Sequence, residues 1–370
     1  MKKLKIIPVE EFNRVRNLSI DKYKKLLLFS DMCRANTLMA VKKAGSGHLG
    51  SSFSAIDIFS WLFTQEMNFE LLGTNDVDRD IFFSSKGHDV PSQYAVLYAL
   101  GVIKEEQLLK LRRFEGLDGH PEKYIVGMEA STGSLGMGIS KAKGMSWAKK
   151  LQNHKGKVFV MTGDGELQEG QIWESLQTAA HQNSDITVIV DHNKIQTDMP
   201  VSEIINLRDL EVKFKAFGWH VERCNGHDFS QIETKFKIFK DVHNQPKILI
   251  ADTIKGCGVS FMETIAEMGS SEGKYLWHSG APNDEHYQAG YKELLKRITN
   301  QCKELGISSP IPVEIPKEEK LQLNKVTKDY VSQAYGDELL QLASSHPEIV
   351  ILDGDLAADC KIRPFDEKYC

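Results

Sequence analysis

No run of apolar residues in this 370-residue chain approaches the ~20 that a helix needs to cross a bilayer. The N-terminal stretch MKKLKIIPVEEFNRVRN carries charge but no long apolar segment, so it does not read as a secretory signal. Cysteine is scarce. The six fall at positions 33, 224, 257, 302, 360 and 370 with no CxxC pair, which argues against a disulfide framework or a structural zinc. An excess of one charge is missing too. A net charge of −5 gives no reason to expect nucleic acid or a membrane surface as partner. There is no internal repeat and no low-complexity tract. What is present is an ordinary globular composition, 41% hydrophobic and 26% charged, with the cytoplasm as the expected location and length for two or three domains.

The apolar pattern alternates between helix and strand. DKYKKLLLFSDMCRANTLMAVKKA has helical periodicity and stops at Gly45, and SAIDIFSWLFTQEM and VPSQYAVLYALGV read as further helices. DIFFSS (80–85), KVFVMT (157–162), ITVIVD (186–191) and KILIAD (247–252) read as strands, with another at about 219–224. Continuous apolar strands suit a parallel sheet covered by helices on both faces, an α/β fold. Residues 303–325 change character, with prolines at 310, 312 and 316 among charged and apolar residues, as in an extended linker. Beyond it the pattern predicts one helix, a strand at 348–352 and an acidic loop, too little to bury a core alone.

The eight residues GDGELQEG (163–170) stand where the strand 157–162 meets a helix, QIWESLQTAAHQ. Alone they make a tight turn. In an open parallel sheet, however, ligands sit at the carboxyl ends of strands. Asp164 lies there, and Asn193 lies 29 positions on, one crossover away, so their oxygens emerge side by side. A carboxylate, an amide oxygen and a nearby backbone carbonyl suit a hard cation such as Mg²⁺, which keeps phosphate oxygens in its octahedron. Gly163 and Gly165 allow close backbone approach to a phosphate, and the helix near Gly170 adds its positive end. The implied function is holding a diphosphate through a metal.

GSGHLGSSFSAIDI (45–58), SSKGHDVPSQYAVLY (84–98), EGLDGHPE (115–122), STGSLGMGIS (131–140), GDGELQEGQIWE (163–174), DTIKGCGVSFME (252–263) and LWHSGAP (276–282) follow one another. In this order they resemble the landmarks of the transketolase family, strongly over about 30–285 and more loosely over 327–370. The resemblance implies a parallel-sheet thiamine diphosphate-binding fold, with thiamine diphosphate and Mg²⁺ (or Ca²⁺) as cofactors and transfer of a two-carbon ketol unit between sugars. It implies Asp164, Asn193 and the backbone oxygen of Ile195 as metal ligands. Gly165, His88 and His278 would face the diphosphate, and Asn193 would serve the cofactor through its metal. Gly133 and Leu135 would shape the cofactor site, Leu135 under the thiazolium ring. His48 and His120 would touch substrate hydroxyls, where imidazoles donate or accept protons near neutral pH. Glu169 and Glu174 would lie near a subunit interface and share protons with a partner carboxylate. The remaining histidines read as structural, His192 as turned away from the ion, His227 as part of a turn, and Cys257 as a loop filler.

On this resemblance the domains are a diphosphate-binding domain over 1–302, the linker 303–325, and the incomplete beginning of a pyrimidine-binding domain over 326–370, with Asp355 matching an acidic landmark. The family's catalytic glutamate would lie beyond FDEKYC. The expectation is therefore one subunit of a split transketolase, inactive alone. A second chain would carry the rest of the pyrimidine domain, the C-terminal domain and the glutamate, in an α2β2 heterotetramer. Ser332 and Asp359 stand where the family has phosphate-binding residues. A carboxylate repels a phosphate, and a serine lacks the grip of an arginine, so the expected acceptor is a sugar with its phosphate elsewhere or absent, such as a nucleotide-linked sugar. The alternatives are one subunit of a two-chain enzyme of the 2-oxo acid dehydrogenase type, or a cofactor-binding chain without turnover.

Overall fold

The computed structural model describes residues 4–263, 274–316, 331–353, 357 and 360–369. The chain forms two compact units, Met1–Ile315 and Pro316–Cys370. The first is built on five parallel strands, β2 (Ile81–Ser84), β3 (Val158–Gly163), β4 (Thr187–His192), β7 (His220–Asn225) and β8 (Lys247–Asp252), in the spatial order β2-β3-β4-β8-β7. Two antiparallel pairs sit outside this sheet: β1 (Lys5–Ile6) with β9 (Val313–Glu314), and β5 (Ile195–Gln196) with β6 (Met199–Pro200). The β9 strand falls inside the stretch that reads as a linker.

Successive side chains of a strand point to opposite faces, and here both faces are buried. Along β3, Phe159 and Met161 join one core with residues of the helices Lys22–Ala44, Leu49–Trp61, Val90–Ala99 and Asp284–Glu304. Val158 and Val160 join the other, against Ile139 of the helix Gly138–Leu151 and Ile172 of Gly170–His181. The helix Lys22–Ala44 begins where the Asp21 side chain accepts from the Lys24 N–H at 2.9 Å and ends at Gly45, φ +78°. Both are standard terminators of the hydrogen-bond ladder.

All five strands run the same way, so their carboxyl ends share one edge. Gly163 of β3 is level with Asp191 of β4, and Asp191 with Ala251 of β8. That register places Lys86, Asp164, Asn193 and Thr253 just beyond neighbouring strand ends.

In the second unit the helix Val331–Ser345 forms as the pattern predicts, and Ser332 lies in its first turn. The strand expected at 348–352 does not form: Val350 and Leu352 are exposed, and the described residues of this unit supply no other strand for them to pair with. The stretch that reads as an acidic loop instead contains the helix Arg363–Tyr369. Asp355 and Asp359 lie outside the described residues.

Candidate active site

The loop after β3 turns directly from the sheet into a single 3-10 turn, Gly165–Gln168, and the longer helix Gly170–His181 starts at Gly170, as the sequence suggests. Asp164 is buried. One of its oxygens accepts from the Gly165 N–H at 2.8 Å and the other from the Lys194 N–H. Asn193, also buried, turns its Oδ1 toward the Ile195 N–H at 3.1 Å and its Nδ2 toward Asp191 Oδ2 at 3.2 Å. The residues expected to ligate a metal therefore gather around one loop, 193–195. The Ile195 carbonyl accepts from Lys255 Nζ at 2.9 Å, a cation that nothing in the local sequence singles out. His192 points its Nδ1–H at Asp252, 2.8 Å away, out of the ligand set.

The donor chemistry fits a divalent cation. Burial and the neighbouring Asp191 charge push the Asp164 carboxyl up to about 6, because two enclosed carboxylates so close repel one another. A bound cation relieves that repulsion. Glycines let the loops at this edge pack closely: a Cβ on Gly165 would lie 2.9 Å from Gln196 Cγ, and one on Gly87 would lie 2.8 Å from Gly133. Gly133, at φ +132°, packs against the His120 ring, where a Cβ would meet Cδ2 at 2.8 Å. Half-buried Leu135 follows on the same loop. The loop is tied down by buried Glu166, which accepts from the Gly136 N–H at 2.9 Å, the Gly163 N–H at 3.1 Å and the Ser85 hydroxyl.

Four histidines from separate landmarks meet. The His48 ring centroid lies 5.3 Å from His88, 5.2 Å from His278 and 6.3 Å from His120, and His88 is 5.3 Å from His278. His48 stands at the start of the helix Leu49–Trp61. The Gly50 N–H binds the Trp277 carbonyl, and the Gly256 N–H binds the Gly50 carbonyl, each at 2.9 Å, so the loops after β8 are stitched to that helix end. His88 Nδ1–H donates to the Lys86 carbonyl at 2.9 Å. Its neutral ring thus presents Nε2 as an acceptor, which suits a hydroxyl better than the diphosphate the resemblance assigns to it. Glu169 and Glu174 are exposed at the start of the helix Gly170–His181, and no described contact joins them to the histidines.

Burial, followed by the Arg112 charge, pushes His48 down to about 3. Burial and the neighbouring His48 push His88 well below its ordinary value. The unfolded chain, whose histidines titrate near ~6.5, binds protons that these two folded rings refuse. Stability is therefore highest above that pH and falls as pH drops below it, by up to about 1.4 kcal/mol per pH unit per histidine. Urea unfolding at pH 7, 6 and 5 should show this loss, and His48→Gln should flatten it. Equal slopes in both proteins would contradict the assignment.

A second cluster holds metal-ligand types: Asp57, His227 and Cys257 offer ligand atoms within 4.8 Å of one another. Its donors are already engaged. His227 Nδ1–H donates to Asp57 Oδ2 at 2.7 Å, and Nε2 accepts from the Ile254 N–H at 2.9 Å. Buried Arg34 reaches the same Asp57 oxygen at 2.6 Å. His227 is thus a structural link between loops rather than a simple turn residue.

Residues 28–275 match the family described as "Transketolase, thiamine diphosphate binding domain". The chain is 34% identical over 281 residues to one of the subunits of apulose-4-phosphate transketolase from Phocaeicola vulgatus, a match covering 75% of this chain and 97% of that protein. It is also 34% identical over 270 residues to the 6-deoxy-6-sulfo-D-fructose transketolase subunit SqwG of a Clostridium species, covering 72% and 95%. Mouse transketolase is 30% identical over 333 residues, which span 87% of this chain but 51% of that longer protein. Among solved structures, transketolase from Campylobacter jejuni superposes with a TM-score of 0.62 at 28% identity, covering 79% of this chain and 44% of that one.

Proposed function

The chain belongs to the transketolase thiamine diphosphate-binding family, and on that premise we propose that it is the cofactor-binding subunit of a two-chain ketol transferase. The observation that carries this reading is the placement of buried Asp164, Asn193 and the Ile195 carbonyl at one sheet edge. Asp164, Asn193 and Ile195 would hold Mg²⁺ or Ca²⁺, with Gly165 and His278 beside the diphosphate and Gly133 and Leu135 shaping the rest of the cofactor site. When bound, thiamine diphosphate supplies the electron sink for breaking a ketose C–C bond. The protein's part is placement and proton handling. Neutral His48, His88 and His120 offer a mixed set of donors and acceptors to the hydroxyls of a sugar.

The relatives support a partner chain. Two are named as subunits of transketolases, and the match covers nearly their whole length. A second chain would supply the catalytic glutamate, the rest of the pyrimidine-binding fold and a C-terminal domain, in an α2β2 assembly with Glu169 and Glu174 near its interface. The chain alone, loaded with Mg²⁺ and thiamine diphosphate, should turn over neither a ketose nor a 2-oxo acid. Mixed with the partner chain and an aldose acceptor, it should consume a ketose donor, release the aldose shortened by two carbons and form the ketose two carbons longer than the acceptor. Turnover by the isolated chain, or consumption of a 2-oxo acid with carbon dioxide release by the pair, would overturn the proposal.

A further inference from the structure

Most of the partly enclosed arginines of this fold are paired with carboxylates, and half-buried Arg16 instead lies over the Phe69 ring, 4.9 Å from its centroid. Arg34 pairs with Asp31 and Asp57, Arg79 with Glu129, Arg223 with Asp252, and Arg297 with Asp31. Arg112, half-buried, has no carboxylate partner among the described residues. Its Nη1 lies 3.5 Å from Ser46 Oγ and its Nη2 3.5 Å from His48 Nδ1, both at the outer limit of a hydrogen bond. Its Nε is enclosed by protein and bonds to nothing. Burial lowers its pKa with no offsetting charge.

A cation taken partly out of water without a counter-ion is costly, and the chain accepts further strain to place it. Arg112 has φ +54°, a conformation that disfavours a side chain and collects at functional sites. Its N–H is pinned to the Leu117 carbonyl at 2.7 Å. Gly119 lets the backbone lie flat against the guanidinium: a Cβ there would sit 2.6 Å from Nε and 2.9 Å from Nη2. The next residue is His120. The unpaired guanidinium therefore borders the four-histidine cluster and is held by the same segment that supplies one of its rings.

We propose that Arg112 is a binding residue for an oxyanion carried by the sugar substrate, such as a phosphate group, taken by the guanidinium fork. The planar fork with free N–H groups matches that ligand geometry. The alternative anion is the cofactor's own diphosphate. Ser46, His48 and Gly119, which lie against the guanidinium, are all outside the strand ends that carry Asp164 and Asn193, which favours the substrate side for the subsite. The inference rests on the ketol-transfer reading and deepens it by naming a charged substrate.

The test uses the full chain saturated with Mg²⁺ and thiamine diphosphate, with inorganic phosphate as probe. Phosphate binding is read from histidine ring resonances in NMR, with the His48 signal identified by its loss in His48→Gln. In the wild type the His48 signal should shift saturably with phosphate. Arg112→Met should weaken that response about tenfold or more, as expected for a lost charge-assisted contact. Arg112→Lys, which keeps the charge, should retain most of it. Cofactor affinity should be the same in all three. An unchanged phosphate response in Arg112→Met overturns the proposal. So does a parallel loss of cofactor affinity, which would assign Arg112 to the diphosphate. A wild-type chain that fails to bind the cofactor at all would instead break the underlying functional reading.

Discussion

Asp164→Ala should abolish Mg²⁺-dependent binding of thiamine diphosphate. Asp164 is the one carboxylate in the proposed ligand set, and its oxygens are held in place by the Gly165 and Lys194 N–H groups. The remaining ligands, an amide oxygen and a carbonyl, are neutral, and hard divalent cations are held chiefly by charged oxygen. The nearest buried carboxylate, Asp191, cannot substitute, because it is committed to Lys86, Ser54 and Thr253. Asn193→Ala removes a neutral ligand and should weaken binding by about 1–3 kcal/mol. Titration calorimetry separates the two effects. Unchanged affinity in both variants would mean that the loop at 193–195 does not hold the metal.

Lys86→Met should destabilise the fold by about 3–5 kcal/mol, the usual cost of leaving a buried charge without its partner. Lys86 Nζ, almost fully buried, lies 2.6 Å from Asp191 Oδ2, 3.1 Å from Asp89 Oδ2 and 3.0 Å from Ser51 Oγ. Its neighbouring carboxylates hold it firmly protonated against burial. Without it, two carboxylates are buried without the cation that balances them, and Asp164 stands close by. The same change should weaken metal binding, because Asp191 Oδ2 fixes the Asn193 amide by accepting from Nδ2. Urea unfolding near pH 7.5 measures the first effect. The double variant Lys86→Met with Asp191→Asn should recover part of the loss. A single-variant loss below about 1 kcal/mol would show that solvent or another cation balances Asp191.

The central sheet was legible because its strands are buried on both faces and so read as short apolar runs between turn signals. The meeting of Asp164 and Asn193, proposed here as metal ligands, was legible because each follows such a run by one or two residues, and strand ends in a parallel sheet are neighbours. Buried support for the site was not. Lys86 and Asp191 are 105 positions apart, and nothing local marks a lysine as buried. Nothing local marks Glu166, yet it ties the loop of Gly133 and Leu135 to the end of β3 by accepting from the Gly136 and Gly163 N–H groups. His227 sits in a sequence typical of a turn, and its link to Asp57 spans 170 positions. The predicted strand at 348–352 failed for the opposite reason. Its apolar residues give the right local signal, but a strand forms only against another strand.

The most direct measurement of the central claim is a calorimetric titration of thiamine diphosphate into the wild-type chain, once with Mg²⁺ and once with the divalent cations chelated. Saturable binding at one site per chain in Mg²⁺, lost or weakened at least about tenfold on chelation, is the predicted result. Absence of binding in Mg²⁺, or equal binding with and without the metal, would contradict it.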